Sequence, residues 1–351
     1  MSQRPVRARD IGIAPGRYQT GALNAITDVP GVLVGQVTVI RDPDIHTGVT
    51  AIVPERLQDR GTMPAGLFVG NGYGKLIGAT QLIELGEIET PIVLTGTLSA
   101  FRAADALVSW MLALPDNETM LSVNPVVGET NDGFLSDIRA RPITEQDVLD
   151  ALHGATGGSV AEGCVGAGTG TTALGFKAGM GTSSRIVEVD GIEQPATVSV
   201  LVQANFGGTL TVLGVPIGSD QALLSAGLVE PNHEIEQGNS CMIIVATDAP
   251  LNARQLRRLA TRAVFGMGRV GSDFTHGSGD YGIAFSVGEG TRVRDHDLDP
   301  LFIAVQEAVE EAILNSLFMA ETTTGIDGHV RHAVPLDYVT AMLAKRGITL
   351  S

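Results

Sequence analysis

The sequence predicts an α/β fold in which two stacked sheets are covered by helices on their outer faces. Seven short runs of apolar and β-branched residues are bounded by turn residues, as strands are, and six segments carry apolar residues at helical spacing. A strictly alternating strand–helix pattern is absent, which favours two layered sheets. No linker rich in Pro, Ser or charge divides the chain, so residues 1–351 are predicted to form a single domain.

The predicted strands and helices follow one another along the whole chain. The strands are 31–40, 65–70, 91–96, 196–208, 209–215, 241–248 and 281–288. The helices are 75–87, 100–114, 144–153, 253–265, 300–319 and 336–346. Asn252 followed by Gln255 resembles a capping box at a helix start, and Gly347 after Lys345 and Arg346 is typical of a helix end.

The charge of the chain excludes some classes of partner. Lys and Arg number 23 and Asp and Glu number 39, which gives a net charge of −16. Phosphates of nucleic acids and anionic membrane surfaces repel such a chain, so neither is an expected partner. The N-terminal segment has arginines without the apolar stretch of a secretory signal, and no run reaches the roughly 18 apolar residues of a membrane span. We therefore expect a cytoplasmic protein.

Two glycine-rich segments invite a nucleotide-binding interpretation that their spacing does not support. In 163–184, Gly166, Gly168 and Gly170 are followed by Thr171, so the dinucleotide fingerprint is incomplete. Segment 71–76 lacks the first glycine and the final Ser or Thr of a phosphate-binding loop. His329 and His332 have no adjacent carboxylate that would complete a metal site. No cofactor or metal is expected.

The junction Gly238-Asn239-Ser240 lies at the edge of an apolar run and suits a self-cleaving serine. A serine becomes a nucleophile when a base activates it, and one route is to free its own α-amine by cutting the chain just before it. A flexible glycine allows the Asn239–Ser240 peptide to be strained so that the hydroxyl attacks the preceding carbonyl. An ordinary turn before a buried strand explains the same residues.

Three further segments carry candidate functional groups. Ser278 and Asp280, each preceded by glycine, can present a hydroxyl and a carboxylate side by side for proton transfer, although a hairpin turn explains them too. Asn205 interrupts an apolar strand, where it could donate to an oxyanion or merely cap a bulge. Glu129, Asn131 and Asp132 lie in a polar loop whose acids could receive a substrate amine, or could be ordinary turn residues.

Taken together and in order, these segments resemble the D-aminopeptidase A and β-peptidyl aminopeptidase family of self-processing serine peptidases, which is distantly similar in fold to the ornithine acetyltransferases. The resemblance covers nearly the whole chain. Its motifs are ITDVPGVLVGQVTV (26–39), NGYGK (71–75), VVGETNDGFLSDIR (126–139), GAGTGT (166–171), VQANFG (202–207), GNSCMIIVATDAPL (238–251) and HGSGD (276–280).

The resemblance implies an αββα sandwich and autoproteolysis between Asn239 and Ser240 into chains 1–239 and 240–351. It implies further that several such heterodimers assemble, and a homotetramer of heterodimers is expected. Ser240 would be the nucleophile and Asn205 would line the oxyanion hole. Ser278 and Asp280 would relay its proton, although some relatives carry Glu where this chain has Asp280.

The substrate site implied by the resemblance consists of Glu129, which would contact the substrate amine, together with Asn131 and Phe134. The expected reaction removes the N-terminal residue of a small peptide, amide or ester through an acyl-enzyme. L-amino acid, D-alanyl and β-amino acid substrates remain open. The alternatives are acyl transfer to an amine acceptor, as in the ornithine acetyltransferases, and a non-catalytic small-molecule binding protein of the same fold.

Overall fold

Two stacked sheets form the centre of the molecule, and helices cover both outer faces. The computed structural model describes residues 4–59, 61–228 and 239–350, with the backbone alone described for Asp59 and Asn239. One sheet has four strands in the order β1-β2-β5-β6, and the other has six in the order β4-β3-β14-β13-β10-β9. Three two-stranded ribbons, β7-β8, β11-β12 and β15-β16, join them. The predicted αββα sandwich is confirmed.

The strands and helices have the following bounds. The strands are β1 Val32–Arg41, β2 Ile45–Pro54, β3 Met63–Gly72, β4 Glu87–Ile88, β5 Ile92–Gly96, β6 Val126–Thr130, β7 Thr172–Ala173, β8 Phe176–Lys177, β9 Met180–Val187, β10 Ala196–Asn205, β11 Thr211–Val212, β12 Val215–Pro216, β13 Asn239–Thr247, β14 Ser278–Ser286, β15 Thr323–Thr324 and β16 Val330–Arg331. The helices are α1 Ala79–Glu84, α2 Ala100–Ala113, α3 Glu145–His153, α4 Ser219–Ser225, α5 Ala253–Met267, α6 Asp299–Phe318 and α7 Leu336–Lys345.

Three hydrophobic clusters separate the four layers. One lies between the sheets and contains Leu94 of the small sheet together with Met242 and Ile283 of the large one. A second packs α2 and α3 on the four-stranded sheet, and the third packs α5 and α6 on the six-stranded sheet. Helix α6 is buried on almost all sides, which fits its apolar composition. Strands β13 and β14 are therefore covered on both faces.

The elements predicted from apolar pattern are mostly confirmed, including the Asn252–Gln255 capping box and the glycine after α7, Gly347, whose φ is +75°. Two predictions were wrong in extent. Segment 209–215 is a ribbon rather than one strand, because Leu213 and Gly214 have positive φ and turn the chain. Helix 75–87 is shortened to α1, because Gly78 and Gly86 are left-handed at its two ends.

Among the strands of five or more residues, three were not predicted, because polar residues interrupt their apolar pattern: β2, β6 and β9. In β9, the residues Thr182 to Arg185 are polar yet buried. The Ser183 hydroxyl, for example, donates to the carbonyl of Ala308 on α6 at 2.6 Å. Tertiary partners such as this one allow polar residues in a buried strand, and a local pattern does not reveal them.

Candidate active site

The predicted catalytic residues meet where three neighbouring strands of the six-stranded sheet begin or end. Strand β13 begins at Asn239 and lies between β10, which is antiparallel to it, and β14, which is parallel. In this register Ser240 is opposite Asn205 on one side and Gly279 on the other. Residues separated by up to 75 positions in the sequence are thus adjacent. Ser240 is 3% exposed.

Ser278 and Asp280 form a buried hydrogen-bonded pair beside this strand end. The Ser278 hydroxyl donates to Asp280 Oδ1 at 2.7 Å, and Asp280 is fully buried. Burial raises the pKa of Asp280 to about 6, although the Ser278 hydroxyl and the backbone N–H of Cys241 oppose the shift. Asp280 Oδ2 has no hydrogen-bond partner among the described residues. This carboxylate is therefore placed to accept a proton near neutral pH.

Asn205 is oriented by backbone groups on both sides of its amide. The N–H of Thr172 donates to Asn205 Oδ1 at 3.0 Å, and Asn205 Nδ2 donates to the carbonyl of Asn131 at 3.0 Å. Because an N–H requires an acceptor and a carbonyl requires a donor, these two bonds define which end of the amide is nitrogen. Asn205 lies opposite Ser240 with a fixed orientation, as an oxyanion donor must.

Glu129 is the penultimate residue of β6, and within the part of the chain that the structure describes only one oxygen of its buried carboxylate has a hydrogen-bond partner. Its Oε1 accepts the backbone N–H of Lys75 at 2.7 Å, and the ammonium of Lys75 lies 3.8 Å from the same oxygen. Burial raises the pKa of Glu129, and Lys75 opposes the shift. Oε2 has no hydrogen-bond partner among the described residues. The geometry suits a carboxylate that receives a cationic group.

The second glycine of the NGYGK motif, Gly74, lies beside Glu129, where there is little room for a side chain. A Cβ on Gly74 would lie 3.3 Å from Glu129 Oε1 and 3.0 Å from the ring of Tyr281. The backbone N–H of Tyr73 donates to the carbonyl of Ser278 at 3.1 Å. The motif is therefore a loop that supports Glu129 and the start of β14, which agrees with its rejection as a phosphate-binding loop.

Asn131 and Phe134 lie in the loop after β6 and have different surroundings. The Asn131 side chain accepts the N–H of Gly133 at 2.9 Å, and its carbonyl binds Asn205. The Phe134 ring stacks on His329, with ring centroids 4.6 Å apart, and lies 4.0 Å from the guanidinium carbon of Arg331. His329 is therefore a ring partner of Phe134. Within the described residues, no group of three His, Cys, Asp or Glu could hold a metal ion.

The residues on the other side of the predicted cleavage point are only partly described. Gly238 lies outside the described residues, and Asn239 is described by its backbone alone, as the first residue of β13.

Among the residues that the structure describes, no helix is both long and apolar enough to cross a membrane.

Asp132, the third residue of the predicted polar loop, accepts from the Thr47 hydroxyl and is buried, and burial raises its pKa to about 6. Sequence reasoning missed two other groups that support the site. Thr172 acts through its backbone, which no sequence pattern reports. Lys177, the second residue of β8, is fully buried. A signal for Lys177 was present in the sequence, because it is the only charged residue of segment 163–184.

Comparison with known proteins identifies the family of the chain. Residues 24–331 match the model of peptidase family S58. The chain belongs to this family. It is 38% identical to the β-peptidyl aminopeptidase BapA of Sphingosinicella microcystinivorans, with 97% of this chain and 92% of the relative covered.

Solved structures agree with this identification. The L-aminopeptidase D-Ala-esterase/amidase of Ochrobactrum anthropi, described as a prototype of the serine aminopeptidases and a variant of the Ntn hydrolase fold, superposes with a TM-score of 0.87. It is 36% identical, and the match covers 98% of this chain and 99% of that one. The β-aminopeptidase of a Burkholderia species gives a TM-score of 0.88 at 36% identity, covering 97% and 99%. The S58 protein described here is a hydrolase with aminopeptidase function, and the acyltransferase and non-catalytic alternatives are not favoured.

Proposed function

We propose that the enzyme is self-processing and that Ser240, freed as the N-terminus of a second chain, removes the N-terminal residue of a small peptide, amide or ester. The observation that carries this proposal is the register of β13, which places Ser240 between Asn205 and Gly279. Cleavage between Asn239 and Ser240 gives chains 1–239 and 240–351. The nucleophilic hydroxyl and a free α-amine then belong to the same N-terminal residue, Ser240.

The chemistry divides among the four catalytic residues. Ser240 Oγ attacks the substrate carbonyl and loses its proton, while the amide of Asn205 stabilises the negative oxygen that forms. Ser278 and Asp280 receive the proton, which then passes to the amine that leaves when the C–N bond breaks. Water hydrolyses the resulting ester and restores the hydroxyl. The open Oδ2 of Asp280 supports this role, because a proton acceptor must have a lone pair available.

Glu129 selects substrates with a free amino group in this proposal. A buried carboxylate oxygen without a partner is costly, and a substrate ammonium would satisfy it. Asn131 and Phe134 form the adjacent wall of the substrate site. Since the relatives include β-peptidyl and D-Ala-esterase enzymes, we include L-amino acid, D-alanyl and β-amino acid derivatives among the substrates to be assayed.

The decisive experiment measures the intact mass of the purified protein and of its Ser240→Ala variant. We expect wild type to give two chains of 239 and 112 residues, and Ser240→Ala to give one inactive chain of 351 residues. Ser286→Ala is the matched control, because Ser286 is also a buried serine but lies at the opposite end of β14. It should process and act normally. An uncut wild-type enzyme with full activity would contradict the proposal.

Assembly as a homotetramer of heterodimers and a cytoplasmic location remain predictions of the sequence analysis. Light scattering of the processed enzyme measures the first, and fractionation of the producing cells measures the second.

A further inference from the structure

Lys177 is a fully buried cation whose ammonium is bound by backbone carbonyls. Its Nζ donates to the carbonyls of Thr171 at 2.9 Å, Ala178 at 2.5 Å and Gly168 at 3.4 Å. Three acceptors match the three N–H groups of an ammonium. Lysine is rarely buried completely, since desolvation of its charge is costly. Burial lowers the pKa of Lys177, although Cys164 and Asp132 oppose the shift, so a lysine at this position calls for a physical reason.

The carbonyls that bind Lys177 belong to the glycine-rich segment 163–184, whose glycine spacing does not fit a dinucleotide-binding motif. A Cβ on Gly168 would collide with the backbone at Met180, and one on Gly170 would collide with the carbonyl of His46. The segment thus lies directly against neighbouring backbone with few side chains of its own to anchor it. The ammonium of Lys177 joins Gly168 and Thr171 to Ala178, and it reinforces the hydrogen bond that the backbone N–H of Ala178 donates to the carbonyl of Thr171 at 3.2 Å.

The loop is connected to the oxyanion residue through a single peptide unit. In the peptide between Thr171 and Thr172, the carbonyl oxygen accepts from Lys177 Nζ and the N–H donates to Asn205 Oδ1 at 3.0 Å. A cation on the oxygen of a peptide polarises it and strengthens its N–H as a donor. The same contact, together with the N–H of Ala178 that donates to the same oxygen, fixes the plane of the peptide, and with it the direction of the N–H.

We propose that Lys177 is a positioning residue of the oxyanion hole, which orients Asn205 through the Thr171–Thr172 peptide. The inference rests on the oxyanion role of Asn205 in the proposed function. Removal of the ammonium would leave the N–H of Ala178 as the remaining donor to the carbonyl of Thr171, and the Thr172 N–H would orient the amide of Asn205 opposite Ser240 less firmly. The effect belongs to the transition state, because the negative oxygen exists only there.

A double-mutant cycle separates this role from a merely structural one. Lys177→Met removes the ammonium and keeps much of the length, and Asn205→Ala removes the amide that Lys177 orients. If Lys177 acts through Asn205, its loss should have little further effect once Asn205 is gone. If it only stabilises the fold, the two effects should multiply.

The measurement is kcat and KM for an amino acid p-nitroanilide, per processed chain as counted by intact mass. Loss of one oxyanion donor lowers kcat by about 10²- to 10³-fold, so we expect about 10- to 100-fold for its misorientation in Lys177→Met. KM should change by less than about threefold, since uniform binding is untouched. In the Asn205→Ala background, Lys177→Met should lower kcat by less than about twofold. If a variant is processed slowly, the rate of its cleavage between Asn239 and Ser240 is also compared among the four proteins of the double-mutant cycle.

Arg185→Met is the matched control, because Arg185 is also a fully buried cation, on strand β9 near Lys177 in the chain. Its partners are Glu307, Glu311 and backbone carbonyls away from Asn205. It should lower thermal stability and leave kcat per folded enzyme unchanged. If Lys177→Met does not fold, Lys177→Gln replaces it in the double-mutant cycle, because the Gln amide can donate to fewer of the three carbonyls that bind Lys177.

The outcomes are distinguishable. If Asn205→Ala retains the kcat of wild type, the oxyanion assignment of the proposed function is wrong. If Asn205→Ala is slow but the Lys177 variants keep the kcat of wild type, or multiply with Asn205→Ala, the positioning role of Lys177 is wrong and the proposed function stands.

Discussion

Two clusters of buried polar residues lie against the six-stranded sheet, and they differ in how completely their carboxylates are hydrogen-bonded. Around Glu311, Oε1 accepts from Arg9 at 2.8 Å and from Asn24, and Oε2 accepts from Arg185 at 2.7 Å. Around Ser240, Asp280 and Glu129 each keep one carboxylate oxygen without a hydrogen-bond partner among the described residues. Both clusters are desolvated, but of these three carboxylates only Glu311 has protein hydrogen-bond donors, within the described part of the chain, on both of its oxygens.

We propose that this difference separates a structural role from a functional one. A buried charge that is fully hydrogen-bonded connects elements, and here Glu311 of α6 joins the N-terminal segment to β9. A buried carboxylate oxygen without a partner weakens the fold, so its retention indicates a ligand or a proton that occupies it during function. Substitutions in the first cluster should therefore change stability, and those in the second should change rate.

The largest effect on rate in this comparison is expected from Asp280→Asn. The variant keeps the shape of the side chain but cannot accept the proton of Ser240. Because general base catalysis contributes about 10²- to 10⁴-fold, kcat should fall by that factor. The free energy of unfolding should change by less than about 1 kcal/mol, because Oδ2 has no hydrogen bond to lose. Steady-state kinetics and chemical denaturation of the same preparation test both statements, and a destabilised variant with normal kcat would remove the contrast.

The opposite pattern is expected for Glu311→Gln. Loss of one partner leaves Arg185 buried with an incomplete counter-charge, which costs about 3–5 kcal/mol of unfolding free energy. The kcat of the molecules that remain folded should equal that of wild type. Denaturant unfolding followed by assay under stabilising conditions measures the two quantities. A slow but stable Glu311→Gln enzyme would show that the two clusters are not separable.

A smaller change is expected for Glu129→Gln, and it should appear in substrate preference. A hydrogen bond to a charged group contributes about 1.5–3 kcal/mol, so kcat/KM for a free-amine substrate should fall by about 10- to 100-fold. An N-acetylated substrate should be affected far less. Glu162→Gln is the matched control, because Glu162 is buried with a raised pKa but is paired with Arg7. Equal losses on both substrates would contradict the amine-binding role.

The smallest effect concerns pH. Burial raises the pKa of Asp280 to about 6, so this carboxyl is protonated and unable to accept a proton below that pH. We expect kcat/KM to be level above about pH 6 and to fall about tenfold per unit below it. Asp132 has a raised pKa of the same value, about 6, so Asp132→Asn is the control. If the acidic limb disappears in that variant, Asp132 and not Asp280 is responsible.

Much of the architecture could be predicted because apolar pattern reports burial directly. Strands β1, β5 and β13 and helices α2, α5 and α6 agree with their predicted segments to within a few residues. Strand β9 could not be found in this way, since its buried Ser and Arg residues depend on partners supplied by α6 and by the N-terminal segment. The length of α1 was overestimated because its flanking glycines adopt positive φ, which sequence permits but does not require.

The sequence by itself determined the family, the αββα class and the residues to examine, because ordered motifs and residue chemistry survive without coordinates. Only the tertiary structure decided which of those residues are neighbours. The register of β10, β13 and β14 places Asn205, Ser240 and Gly279 side by side. Thr172 contacts Asn205 through its backbone N–H, and the acceptors of Lys177 are backbone carbonyls; every residue has these groups, so the sequence does not report which of them meet. Proximity of distant backbone groups is a property of the folded chain alone.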